Sequence, residues 1–113
     1  MRPRVVIIGL DGATFDVLDP LVRQGVMPFL GRFAAEGTRA GLRTIVPALT
    51  PPAWTSLATG RSPGHHGIFD FFRMESHDSR HIRFTTSGDV ACETIWAAAS
   101  RQGRRVTALN FPL

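Results

Sequence analysis

The run Arg4-Val5-Val6-Ile7-Ile8-Gly9-Leu10 is short, β-branched and almost continuously apolar. Such a run fits a strand covered on both faces, the situation inside a parallel sheet. It ends in Gly9-Leu10-Asp11-Gly12, a glycine-flanked turn that lifts a carboxylate off the strand's carboxyl end. A chain that begins this way has to find cover for two faces, and the rest of the sequence is read for that cover.

The sequence then alternates between helical and strand patterns. From Asp16 to Gly37 the spacing of Val17, Leu18 and Leu21, then Phe29, Leu30 and Phe33, predicts two short helices with a break between Gly25 and Pro28 and a stop at Gly37. Ala40 to Val46 reads as a second strand. Pro51 to Thr59 predicts a helix with Thr50 at its N-cap, Pro51 at the favoured first position and Gly60 just past its end. Trp54, Leu57 and Ala58 would face the core. RSPGHHGIFDFF follows as a turn-rich loop running into aromatics, and residues 74–83 read as a polar loop or hairpin. Thr94 to Gln102 predicts another helix, around Ile95, Trp96 and Ala99 and closed by Gly103. Arg105 to Asn110 is a third strand. Strands separated by helices imply an α/β fold, a three-layer αβα arrangement with a mostly parallel sheet. No internal repeat or linker interrupts residues 1–113, which read as one domain. The last residues stop at the carboxyl end of a strand, where an open α/β sheet turns into another helix. The expectation is therefore an incomplete domain, with a downstream remainder.

Composition narrows the functional classes. The longest apolar run, Val5 to Leu10, is far short of the ~20 residues a membrane span needs, so no membrane association is expected. Arg2 and Arg4 before VVIIGL fit a first strand better than a signal peptide, which makes the cytoplasm the expected location. A single cysteine, Cys92, excludes an internal disulfide and a multi-thiolate zinc site. The net charge of +4 comes from Arg scattered along the chain, with Arg104 and Arg105 the one tight pair. A nucleic-acid binder clusters such residues on one face, so no nucleic-acid partner is expected.

Two residues carry candidate chemistry. Asp11 stands at the edge of an α/β sheet where ligands bind; taken singly, it reads as a turn or N-cap carboxylate. Thr50 stands at a helix N-terminus, where partial positive charge favours an anion and stabilises a developing alkoxide; taken singly, it reads as a plain N-cap. Together, at two strand-to-helix junctions, a carboxylate and a hydroxyl could share a divalent cation, which would make the hydroxyl a nucleophile toward phosphorus.

VVIIGLDGATFD, then LTPPAWTSLATGRSPGHHGIFDF, then ETIWAAASRQGRRVTALNFP, resemble the N-terminal part of the alkaline phosphatase superfamily, in the branch of type I phosphodiesterase and nucleotide pyrophosphatase-like proteins. The resemblance covers essentially the whole chain and is most specific from Thr50 to Gly67. It implies an alkaline phosphatase-like fold and a hydrolase with two divalent metal ions, usually zinc, acting on a phosphate ester or nucleotide-like small molecule. It places Thr50 on the family's nucleophile, which forms a covalent phospho-threonine and also contacts metal, and Asp11 on the first metal ligand. Paired cations stabilise both the entering and the leaving oxygen.

The sequence departs from that pattern in two respects. Ala53 stands where nucleotide pyrophosphatases carry an Asn three residues after the nucleophile, and Pro51 and Pro52 remove two backbone donors from the helix start. The family's other metal ligands come from segments further along than any present here. Local histidines are poor substitutes: His77 and His81 have an i, i+4 spacing, but ESHDSRHIR has no apolar helical face and reads as a solvated loop. His66, before Gly67-Ile68, stands at a position to which the resemblance gives a structural role and reads as a loop anchor, and His65 has no assigned role. Arg43 and Arg61 could meet a phosphate but read equally as surface. Asn110, at the end of the third strand, is a candidate substrate contact or a cap for the next turn. Cys92 reads as a small buried residue.

Three classes of function follow. The first is the N-terminal piece of a metal-dependent phosphoesterase with little turnover of its own. The second is a small α/β nucleotide- or phosphate-binding module without catalysis, against which stand the absent GxGxxG and GxxxxGK[ST] motifs. The third is a nucleic-acid-binding interaction protein, which the scattered Arg oppose.

Overall fold

In the computed structural model, residues 4–112 are described. Arg2 and Leu113, which flank stretches read above, lie outside them. The chain divides into two units, Met1–Leu42 and Arg43–Leu113.

In the first unit, residues 4–10 are extended but carry no strand ladder, and Val5, Val6, Ile7, Ile8 and Leu10 are 59–82% exposed. Asp11 and Gly12 form a turn, with Gly12 in the left-handed region at φ 69°. Two helices follow, α1 (Phe15–Arg23) and α2 (Pro28–Glu36), broken where the sequence predicts. They approach closely: a Cβ placed on Gly31 of α2 would lie 2.9 Å from Val22 Cγ1 of α1. Arg39, just after α2, reaches back to α1. Its guanidinium donates to Asp19 at 2.8 Å and lies 3.9 Å from the centre of the Phe15 ring, a cation–π contact.

The second unit contains α3 (Thr50–Thr59), the short α4 (Pro63–His66), strands β1 (Phe72–Met74) and β2 (Ile82–Phe84), a 3-10 turn at Ser87–Asp89, and α5 (Ile95–Arg101). Its buried residues are Pro51, Pro52, Thr55 and Ala58 of α3, Pro63 and His66 of α4, and Ile68. This small core is where α3 meets the turn after it. Phe111 packs edge-on against two indoles, 5.3 Å from Trp54 of α3 and 4.8 Å from Trp96 of α5, and so joins the two helices.

The helices match the sequence because their signals are local. Gly60 takes the left-handed C-terminal position of α3 at φ 65°, its amide donating to Ser56 O. Thr94 caps α5 by accepting from Ala97 N at 3.3 Å. The polar stretch 74–83 closes an antiparallel hairpin in which Phe72, Arg73 and Met74 face Phe84, Arg83 and Ile82.

The strands are where the structure departs from expectation. None of residues 4–10, 40–46 or 105–110 joins a ladder; β1 and β2 are the strands among the described residues, and they run antiparallel. The described residues thus form a mixed helical and small antiparallel structure rather than a mostly parallel three-layer αβα sheet. An apolar β-branched run encodes the capacity to be a strand, but a strand exists only once a neighbour accepts its hydrogen bonds. Among the described residues, no helix is long and apolar enough to cross a membrane.

Candidate functional site

Thr50 opens α3. Leu49 is the N-cap, with φ −125° and ψ 155°, and its carbonyl accepts the first helical bond from Ala53 N at 3.1 Å. Thr50 is therefore the first helical residue, one position further in than the N-cap role expected for it, and Pro51 moves to the second position. The two prolines have a chemical consequence. Of the first three helical residues only Thr50 has an amide hydrogen, so this N-terminus offers an anion fewer backbone donors than an ordinary helix does. The partial positive charge of the helix end remains, since it arises from all the aligned peptide units.

Further along, two hydroxyls of α3 bond back to the helix's own carbonyls. Thr55 Oγ1 donates to Pro51 O and Thr59 Oγ1 to Thr55 O, both at 2.7 Å. Thr55 thereby buries its hydroxyl without leaving it unsatisfied.

His66 ties the turn after α3 back to the helix. It is completely buried, and its Nδ1 accepts a hydrogen bond from Ile68 N at 3.1 Å. An amide can only donate, so Nδ1 is unprotonated and the ring proton sits on Nε2. Nε2 then donates to Ser56 Oγ at 3.0 Å. Burial pushes the His66 pKa below the ordinary histidine value; the Pro52 carbonyl pulls the other way and His65 adds a smaller downward push. The loop-anchoring role read from the sequence is what this geometry shows. Ser56, its partner on the helix, gave no sequence signal.

A second cluster is built on Asp89. Its carboxylate accepts from Arg83 through both terminal nitrogens, from Arg73 Nη1 at 3.1 Å and from Thr86 N at 2.9 Å. The hydrogen-bonded Arg83 guanidinium, with the Thr86 amide, holds this carboxyl well below the usual carboxylate range. Thr86 and Asp89 form a capping box around the 3-10 turn, and its signal in the sequence is the T-x-x-D spacing. The following residues lie along α4: Ala91 N donates to His66 O at 3.0 Å and Cys92 Sγ to His65 O at 3.3 Å. Cys92 is partly exposed rather than buried. Its neighbours Thr55, Ala58, Thr94, Trp96 and Phe111 share with it a shallow cavity of about 220 Å³, of which Thr50 is not a lining residue.

Asp11 belongs to the first unit, exposed in its turn, whereas Thr50 and Asn110 belong to the second. Asn110 is exposed, with φ 49°, next to the Phe111 that packs on Trp54. Asparagine tolerates this left-handed region better than most residues. His77 and His81 are exposed in the β1–β2 connection, so their spacing falls on a loop rather than a helix. His65 Nδ1 lies 2.9 Å from Ser62 Oγ, a local contact within the turn. Among the described residues, no three His, Cys, Asp or Glu side chains come together as a group that could hold a metal ion.

No solved structure matches the chain. The family model described as type I phosphodiesterase / nucleotide pyrophosphatase matches residues 5–113, a span that includes Asp11, Thr50, the His66 turn and the Asp89 cluster. With nearly its whole length inside that match, the chain belongs to the type I phosphodiesterase/nucleotide pyrophosphatase family of hydrolases.

Proposed function

We propose that this chain carries the nucleophile of a phosphoric ester hydrolase of the phosphodiesterase/pyrophosphatase type, and that the nucleophile is Thr50. The observation that supports this most is the position of Thr50 at the amino end of a ten-residue helix, inside the stretch that matches the family. A hydroxyl there meets the positive end of the helix, which lowers the energy of its alkoxide and of an approaching phosphoryl group. Thr50 Oγ1 attacks phosphorus in line. The new O–P bond forms as the bond to the leaving oxygen breaks, the threonine proton ends on solvent or the leaving alcohol, and water then cleaves the threonine ester. With so few amides at the helix start, this end of α3 supplies charge and direction rather than a full phosphate cradle.

Hydrolases of this family are generally metal-dependent. Two divalent cations, expected to be zinc, with Asp11 and Thr50 among their ligands, belong to this proposal. Asp11 and Thr50 alone fall short of the donors that two cations require, and the chemistry above is that of Thr50 and its helix. Asn110 is proposed as a contact for a phosphate ester or nucleotide-like substrate, in a domain of alkaline phosphatase-like fold.

Trapping tests this more directly than turnover. The chain is incubated with bis(p-nitrophenyl) phosphate and zinc, quenched in acid and mapped by peptide mass spectrometry. The expected result is a p-nitrophenylphosphoryl group on Thr50, formed with release of one p-nitrophenol, retained on Ser in Thr50→Ser and absent from Thr50→Ala. An adduct on another residue, or none in the unsubstituted chain, overturns the assignment.

A further inference from the structure

We propose that neutral His66 is a positioning residue for Thr50: it latches α3 to the turn at residues 63–68, and protonation of its ring opens the latch. The functional meaning of the latch rests on Thr50 being the nucleophile; its existence does not.

Both ring nitrogens of His66 are committed, in opposite senses. Nδ1 accepts from Ile68 N and Nε2 donates to Ser56 Oγ, so the turn and the helix are bridged by one neutral imidazole. Ser56 lies six residues after Thr50 on the same helix, about 9 Å along its axis at 1.5 Å per residue. Ser56 and the first turn belong to one continuous helix, α3, so a restraint at Ser56 bears on the position of Thr50. The first turn has no side-chain cap from Leu49, and Pro51 and Pro52 of that turn are buried beside His66 in the same small core.

Protonation must occur at Nδ1, the bare nitrogen. That sets an N–H of the ring against the N–H of Ile68, two donors face to face with no acceptor between them. Of the groups facing the ring, the Pro52 carbonyl favours the new charge, and burial outweighs it. From α3, His66 meets the Pro52 carbonyl and Ser56, both uncharged. On its own turn the titratable neighbour is His65, which opposes a positive charge. From the segment at residues 89–92, its carbonyl meets Ala91 N; the nearby acid, Asp89, is engaged by Arg83 and Arg73, and Cys92 bonds to His65 O.

The test uses the 113-residue chain and nuclear magnetic resonance, with no dependence on activity. In the unsubstituted protein the His66 ring should be protonated at Nε2 and bare at Nδ1, with a titration midpoint below about 6.5. Amide exchange at Ala53 and Trp54, corrected for its intrinsic pH dependence, should rise about five- to tenfold as His66 titrates, the loss expected for one hydrogen bond. Ser56→Ala should show the same acceleration at neutral pH. His66→Gln, whose amide offers both an acceptor and a donor but does not titrate, should abolish the pH dependence. A ring protonated at Nδ1, or exchange at Ala53 and Trp54 unchanged in Ser56→Ala, overturns the latch. If these hold while no adduct forms on Thr50, the latch stands and the nucleophile assignment fails alone.

Discussion

Arg83 grips Asp89 with both terminal guanidinium nitrogens, at 2.9 and 2.5 Å, from the middle of strand β2. Arg73 faces Arg83 across the hairpin and reaches the same carboxylate. Two like charges directly opposite on a ladder repel, and one acid neutralises both. Asp89→Asn should therefore loosen the hairpin: amide exchange at Met74 and Phe84 accelerates severalfold while helix α5 is unaffected. Because the folded carboxyl titrates below its unfolded range, the stabilisation is complete above about pH 4 and is lost as pH falls below that. Urea unfolding midpoints followed from pH 5 down to pH 2 check it. Midpoints that stay constant over that range, or that fall equally in Asp89→Asn, would contradict it.

The pH dependence from His66 runs the same way in a higher window. Its folded pKa is lowered, so between that value and the unfolded value of about 6.5 the unfolded chain binds more protons. Stability should rise with pH through this window and level off above it. Urea unfolding midpoints measured between pH 5 and 8 report the trend, and His66→Gln should flatten it.

Ile68 is 1% exposed and sits beside His66 in the small core. Ile68→Ala should cost about 2–5 kcal/mol, the range for deleting a buried aliphatic side chain. For so small a core that is enough to unfold much of the population, visible as lost chemical-shift dispersion and lost protection in α3.

Gly60 ends α3 at φ 65° with open space around a would-be Cβ. Gly60→Ala meets no steric neighbour, so its cost is backbone strain alone, about 1–2 kcal/mol. Gly60→Asn should recover part of it, since asparagine tolerates the left-handed region. Denaturation midpoints of the two variants give the comparison.

Phe111 holds Trp54 and Trp96 by edge-on contacts. Phe111→Leu removes two aromatic pairs worth about 0.5–1.5 kcal/mol each beyond area burial. Both tryptophans lie at this contact, so the change should appear as altered indole emission together with a lower unfolding midpoint. Unchanged emission would contradict the packing described.

The longer helices and the family were legible in the amino-acid sequence, whereas residues 74–83 read as a loop or hairpin and α4 as part of a loop. Helical spacing, the glycine at position 60, the threonine at position 94 and the break before Pro28 are signals carried within a turn or two of chain, so they could be read without a partner in view. The resemblance that assigns Thr50 rests on local motifs in the same way. What only tertiary structure decided are relationships between residues distant in sequence. The bond from His66 to Ser56 spans ten residues, that from Arg73 to Asp89 sixteen, and Phe111 reaches back to Trp54. The strands fall in the same class. The run from Arg4 to Leu10 has a strand's composition, but a ladder needs a second segment to accept its hydrogen bonds, and no local pattern contains that neighbour. That is why the helix bearing Thr50 was legible from its residues, while what holds it in place was not.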